Sequence, residues 1–387
     1  MDAERSVRFP GGAARLVPLA ALRDCAAWQV AFAALAKDHR FYGLVDETLA
    51  SGFEHHYIVL EDDTGTVRGV QPVFFVRQNL VEGVPAAQRA AEFVRQVFPR
   101  FLTMRVLMVG NPAGAGELGL CRAGEEEWVA HALGATLTTF AAQAKASLVV
   151  FKDWKNTYRR PMRPLLDADY TRVPSMPMTQ LALPYRTFDE YLASLSKATR
   201  KDLRRKFRKA EKRPPLELEV LTDVSSLVDE LHPLYLQVHE RSPMKFETLT
   251  KDYLRELGRR MPDRVRFFIW RYEGRIVAFS IALVHDGTII DDYLGLDYSV
   301  ALDLHLYFLT FRDIISWSLA NGITRYLSSP LNYEPKLHLG CDLLPLDLYV
   351  KHTSPVLNAL FSRILPLIEP TRHDPVLHRF RNADELL

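Results

Sequence analysis

Several scarcities narrow the reading of this 387-residue chain before any motif is considered. Cysteine occurs only as Cys25, Cys121 and Cys341, too widely separated for a disulfide framework or for the close ligand pairs of a structural zinc site, so no metal centre is expected. No apolar run approaches the roughly 20 residues that cross a bilayer. The opening MDAERSVRFPGGAARLVPLA lacks the apolar core of a signal peptide, and a cytoplasmic location is expected. Charge of one sign is also lacking: 49 Lys and Arg face 47 Asp and Glu, a net charge of +2, which by itself does not argue for a nucleic-acid protein. The 19 glycines and 23 prolines show no period and no excess, excluding collagen-like and low-complexity classes. The one glycine-rich stretch, GNPAGAGELG from Gly110, has neither the terminal Lys-Ser/Thr of a P-loop nor the strand-associated dinucleotide pattern. It reads as a structural or acceptor-cleft loop.

What is present is a chain with 48% hydrophobic residues, enough for a large core and long enough for two domains. In the first half the patterning predicts a helix over 17–36, strands over 56–60 and 67–76 joined by an acidic turn, a strand over 105–109, a helix over 125–145 and a strand over 146–151. In the second half it predicts helices over 224–240 and 251–260. Three strands then follow in RVRFFIWRYEGRIVAFSIALVHDGTIIDDYLGLDY, broken at Glu273-Gly274 and Asp286-Gly287. A long helix beginning near Leu302 leaves at Gly322, a strand over 323–328 returns, and an amphipathic helix covers 355–367. Hairpin, strand, helix, strand thus occurs twice, and the fold class expected is α+β, with mixed sheets flanked by helices. The boundary is placed so that domain one spans 1–186 and domain two 187–387.

Positive charge is concentrated in one place, KATRKDLRRKFRKAEKR over 197–213, where only Asp202 and Glu211 oppose it. Ser196 is suited to cap this helix, and Thr199, Leu203, Phe207 and Ala210 make its narrow apolar stripe. Arg204, Arg205, Arg208 and Lys209 then form either a solvated face or one that grips phosphate or an acidic partner.

Taken together, SKATRKDLRRKFRKAEK (196–212), WRYEGRIVAFSIALVHDGTI (270–289), YLGLDY (293–298), LHLYFLTFRDIISWSLANGI (304–323) and KLHLG (336–340) resemble the catalytic domain of GNAT-superfamily N-acyltransferases. The resemblance is to the double-domain proteins related to FemAB peptidyltransferases in particular. It implies tandem GNAT-like domains, the first degenerate and walling an acceptor cleft. It also implies a reaction in which an amine attacks an activated acyl group carried by coenzyme A or an acyl-carrier protein. The alternatives it leaves are an aminoacyl-tRNA-dependent peptidyltransferase and a noncatalytic binder of anionic partners; the amphipathic helix over 355–367 leaves peripheral membrane association as a further, weaker reading.

The resemblance further implies that the strand at 288–298 and the return strand at 323–328 part to admit the donor, with the following helix start directed at its phosphates. Ser299 and Leu302 on that approach join Arg204, Arg205, Arg208 and Lys209 as candidate donor-binding residues. The loop DYSVALD (297–303) departs from the family, having neither its glycines nor its basic residues. For chemistry, Asp292 is a candidate base, Tyr293 a candidate donor to the leaving thiolate, and His305 a group able to exchange a proton near neutral pH. Asp291, Ser328, Tyr333 and Lys336 are the candidate substrate-binding residues. Strand alternation sends Asp291 and Asp292 to opposite faces unless a bulge intervenes.

Overall fold

A computed structural model describes residues 5–79 and 103–387. The chain begins with β1 (Arg5–Phe9), β2 (Gly12–Val17), α1 (Ala26–Ala31), α2 (His39–Thr48), β3 (Phe53–Asp62), β4 (Val67–Asn79) and β5 (Thr103–Val109). It continues through α3 (Glu126–Gln143), β6 (Leu148–Lys155), α4 (Arg163–Asp167), β7 (Thr171–Ala182), α5 (Phe188–Ser194), α6 (Lys197–Ala210) and β8 (Leu216–Leu221). There follow α7 (Val228–Arg241), α8 (Lys251–Arg260), β9 (Val265–Tyr272), β10 (Arg275–His285) and β11 (Thr288–Leu296). The remaining elements are α9 (Leu306–Ala320), β12 (Arg325–Ser328), α10 (Tyr333–His338), β13 (Asp342–His352) and α11 (Pro355–Ile368). Among the described residues no helix is long and apolar enough to cross a membrane.

Two compact units result, and they are not the sequential halves 1–186 and 187–387. Unit 1 is Met1–Ala33, Ala50–Ser175 and Leu346–Arg372; unit 2 is Ala34–Leu49, Met176–Pro345 and His373–Leu387. The single cut fails because α2 packs on α8 and β13 pairs with β6, associations that composition along the chain does not display.

In unit 1, β2, β3, β4 and β5 pair antiparallel in order, with β1 hydrogen-bonded to the outer side of β2. The chain then crosses through α3 so that β6 runs parallel to β5, and β13 closes antiparallel on β6. Helix α3 is apolar on nearly all sides and buries Leu133, Leu137 and Phe140 against Ile58, Leu107 and Phe151. Asp347 on β13 is fully buried between Arg159 (2.7 Å) and Arg172 (2.8 Å).

Unit 2 repeats this order. Strands β8, β9, β10 and β11 pair antiparallel, α9 crosses over, β12 runs parallel to β11, and β7 closes antiparallel on β12. Phe268, Trp270, Ile289, Leu306, Phe311 and Ile315 form the core, joined from the outer helices by Tyr191, Leu203 and Phe207. The turn at Asp286-Gly287 has positive φ at both residues (44° and 64°), the geometry that joins twisted antiparallel strands tightly.

Some expectations change at this level. The region expected as a helix over 17–36 ends β2 at Val17 and holds only the single turn Leu19–Leu22 and short α1, because GGAARLV is drawn into a hairpin with β1. The helix expected from Leu302 begins at Leu306, since residues before it fold into successive turns. The basic helix forms as expected, Ser196 Oγ accepting from Thr199 N at 3.1 Å.

Candidate functional site

The sequence TIIDDYLGL of β11 does not alternate regularly. Against β10, Tyr293 faces Ile281 and Asp291 faces Ala282, so Asp292 is an extra, bulged residue between them. On the other edge, parallel pairing with β12 runs only to Asp291 opposite Ser328, while β11 itself continues to Leu296. The two strands cease to pair where three consecutive ionisable residues are presented. The equivalent place in unit 1 is filled: past the last β5–β6 pair, Gly116 bridges to Trp154, its amide donating to Asp153 O at 2.9 Å. A Cβ at Gly116 would sit 2.5 Å from the Trp154 indole, so the glycine-rich loop is a close-fitting structural insert.

Asp291 is the centre of the unit 2 cluster. Its carboxylate accepts from Ser280 Oγ and, at 2.7 Å, from the Tyr326 hydroxyl. Burial pushes its proton affinity above the ordinary carboxylate range, and those hydrogen bonds and Lys336 only partly offset this. Lys336, 6% exposed, donates to Ser329 O and, at 2.9 Å, to Leu331 O. Burial lowers its ammonium to about 8. The carbonyls reach it because Leu331 and Asn332 both take left-handed backbone, φ 71° and 52°, an uncommon state for a leucine and a form of strain that gathers at functional sites.

The next two carboxylate and phenol groups are engaged differently. Asp292 Oδ2 pairs with Lys37 Nζ at 2.6 Å, with both side chains about a tenth exposed (9% and 12%). Ser329 Oγ donates to Asp292 O at 2.5 Å. Lys37 is delivered by the segment leading into α2, whose Phe41 ring meets Tyr253 of α8 edge-on. The Tyr293 hydroxyl donates to Glu247 Oε1 at 2.7 Å, and the rings of Tyr235 and Tyr253 meet its ring at 6.3 and 6.4 Å. Burial and Glu247 raise the Tyr293 phenol well above its usual value.

The structure therefore brings together Asp291, Asp292, Tyr293, Lys336 and, as the last residue of β12, Ser328. Three of the expected residues stand in settings of their own. The Tyr293 hydroxyl is engaged by Glu247. Tyr333 is 4% exposed, packs on Phe380, and donates to Pro177 O at 2.8 Å, which makes it a structural residue of α10. His305 stands in left-handed backbone (φ 53°) at the start of α9 and is pushed down by burial and then by Lys209, Lys206 and Arg205, so its charged neighbours are the basic helix. Lys37, Ser280, Glu247 and Tyr326 were not singled out in the sequence. Only the unusual serine inside the apolar strand IVAFSIALV carried a local signal.

Ahead of α9, the carboxylate of Asp297 accepts from Ser299 N (3.0 Å), Ser299 Oγ (2.6 Å) and Arg275 Nη2 (2.9 Å). The amides of Val300, Ala301, Leu304, His305, Leu306, Phe308 and Leu309 all donate to carbonyls of the same segment. Leu302 is 78% exposed and lies in the turns. Among the described residues no group of three or more His, Cys, Asp or Glu is arranged to hold a metal ion.

This architecture has a known class. Residues 197–333 match the family model described as Acetyltransferase (GNAT) domain, so unit 2 carries a GNAT-superfamily acetyltransferase fold. Among solved structures, FemX superposes with a TM-score of 0.52 at 10% identity, covering 84% of this chain and 93% of that one. A tandem GNAT protein from the clavulanic acid biosynthesis pathway gives 0.48 at 12% identity, covering 88% and 99%. A curated protein of Mycobacterium tuberculosis (strain CDC 1551 / Oshkosh), provisionally named 8-amino-7-oxononanoate synthase 2, is 23% identical over 362 residues, 88% of this chain and 46% of its own. Its counterpart in strain ATCC 25618 / H37Rv matches equally. The chain spans about half the length of these curated relatives.

Proposed function

We propose that the protein is an N-acyltransferase in which an amine attacks an acyl thioester at the end of the β11–β12 pairing. The observation that carries this is the buried Asp291–Tyr326–Lys336 cluster lying at the end of the β11–β12 pairing within a GNAT domain. The amine nitrogen attacks the carbonyl carbon, a C–N bond forms, the C–S bond breaks, and the thiolate departs. Asp291 accepts the proton lost by nitrogen and returns it to the thiolate, so that an amide and a thiol are the products. Ser280 and Tyr326 fix the carboxylate, and burial brings its proton affinity toward neutral pH, where a base works best. An ammonium has three N–H donors, and two of those on Lys336 are occupied by carbonyls. The third is assigned to the oxyanion formed on the acyl oxygen. Asp292, tied to Lys37, and Tyr293, tied to Glu247, line the approach and orient the amine.

Unit 1, which shares the strand order but has its opening filled by the Gly110 loop, is assigned a supporting, noncatalytic role. This makes the chain a tandem GNAT-like protein with one working centre.

The test offers purified protein acyl-coenzyme A and acyl-carrier thioesters with a panel of amines, and reads new amides by mass spectrometry. D291N and K336M are expected to lose about a hundredfold or more in rate while keeping the wild-type circular dichroism spectrum. Product formed equally by both variants, or by none of the preparations across the panel, removes the assignment.

A further inference from the structure

The approach to α9 has little left with which to bind phosphate by backbone. Seven amides between Val300 and Leu309 donate to carbonyls of the same segment and that of Ser299 donates to Asp297, while Asp297 and Asp303 add negative charge there. Helix α6 supplies what is missing. Its 14 residues carry eight Lys or Arg against one Asp, and its buried Leu203 and Phe207 belong to the same core as Leu304, Leu306 and Leu309, which fixes it beside the start of α9.

Two contacts and the charge felt by His305 show which side of α6 faces that start. Lys206 Nζ lies 3.9 Å from the centre of the Phe308 ring, Arg213 reaches Asp303 at 3.9 Å, and Lys209, Lys206 and Arg205 all bear on His305. Arg205 and Lys209 stand four residues apart on one row of α6, and Arg213 follows in the turn after the helix, on the side that reaches Asp303. Lys201, Arg204 and Arg208 form another, further round the helix. Asp202 engages Arg205 (2.6 Å) and Lys206, leaving Lys209 without a carboxylate partner among the described residues.

We infer that Arg205 and Lys209 of α6, with Arg213 in the turn that follows, are the phosphate site of the acyl donor: a diphosphate or phosphodiester is held by these side chains instead of by the backbone of a glycine-rich loop. The inference rests on the acyltransferase reading for what the donor delivers, and on the charge geometry alone for where it is held. Side-chain cations gripping phosphate make donor binding salt-dependent, because dissolved ions screen the attraction between charges that stay partly in water.

Calorimetric titration of wild type, R205Q/K209Q and R204Q/R208Q with coenzyme A, and separately with a short RNA hairpin ending in single-stranded ACCA, tests this. The first pair of substitutions is expected to weaken coenzyme A binding by about tenfold or more and to flatten its salt dependence, and the second pair by less than about twofold. The same pattern seen with the hairpin in place of coenzyme A also supports the site and makes the donor's carrier a polynucleotide. Equal weakening by both pairs, no weakening by either, or no binding of either probe to wild type overturns it. Amide formation by wild type is measured in parallel. Product with unchanged donor KM in R205Q/K209Q rejects the phosphate site and leaves the acyltransferase reading standing, whereas absence of product rejects that reading whatever the titrations give.

Discussion

Asp291 and Lys336 share one buried cluster, and burial moves their proton affinities toward each other: the carboxyl up from its ordinary range, the ammonium down to about 8. If Asp291 acts ionised and Lys336 acts charged, amide formation rises with pH as the Asp291 proton is lost and falls as pH passes about 8 and Lys336 becomes neutral. The expected profile of kcat/KM is a bell whose alkaline limb lies near 8. A residual rate in K336M should lack that limb, and a residual rate in D291N should lack the acidic one. A profile in wild type that keeps rising through pH 9 would show Lys336 acting as a base, with the roles of the two groups exchanged. The residue types were visible in the sequence, since DDY and KLHLG attract attention unaided. Their division of labour was not, because it depends on Lys37 and Glu247, which are respectively 255 and 46 positions away from the groups they engage.

At the scale of elements, the bulge in β11 decides what the site contains. Regular alternation would put Asp291 and Asp292 on opposite faces, and the extra residue breaks that period while β10 holds both sides of the strand in register. The packing that holds β11 here is tight: Gly295 lies so close to Phe279 and to the backbone of Tyr235 that an added Cβ would fall 2.1 Å and 2.9 Å from them. Phe279 is fully buried and has no room to retreat. G295A is therefore expected to cost about 1–3 kcal/mol, read as a lower denaturant midpoint with an unchanged slope. An unchanged midpoint would mean that β11 shifts freely against α7, and the site geometry would be correspondingly loose. The helices α3, α6, α8 and α11, and the turns at Glu273-Gly274 and Asp286-Gly287, were legible because each depends on local period or local φ. Strand β2 and helix α2 were missed, the first through its hairpin partner and the second because its burial comes from α8.

For the whole molecule, the decisive feature is that each unit draws on distant stretches of chain. Unit 2 needs residues 34–49 for α2 and residues from 176 onward for β7, so the sequential fragment 187–387 lacks two of its parts. Without β7, the ladder edge of β12 is unpaired; without α2, the apolar side of α8 is uncovered. The fragment is expected to show no cooperative thermal transition and to exchange its amide hydrogens rapidly, while the full chain unfolds cooperatively. A cooperative melt of 187–387 with protected β10 and β11 amides would show that α2 and β7 are dispensable to the unit 2 fold.

By itself the sequence determined the two successive α+β patterns and the charged helix with its serine cap, because propensity, capping and charge spacing act over a few residues. Only the tertiary structure decided that β7 and β13 close the units they do, that the Gly110 loop sits past the β5–β6 pairs while Asp291 stands at the last β11–β12 pair, and that Lys37 meets Asp292. Those outcomes follow from strand pairing and burial between residues far apart in the chain, which no local pattern encodes.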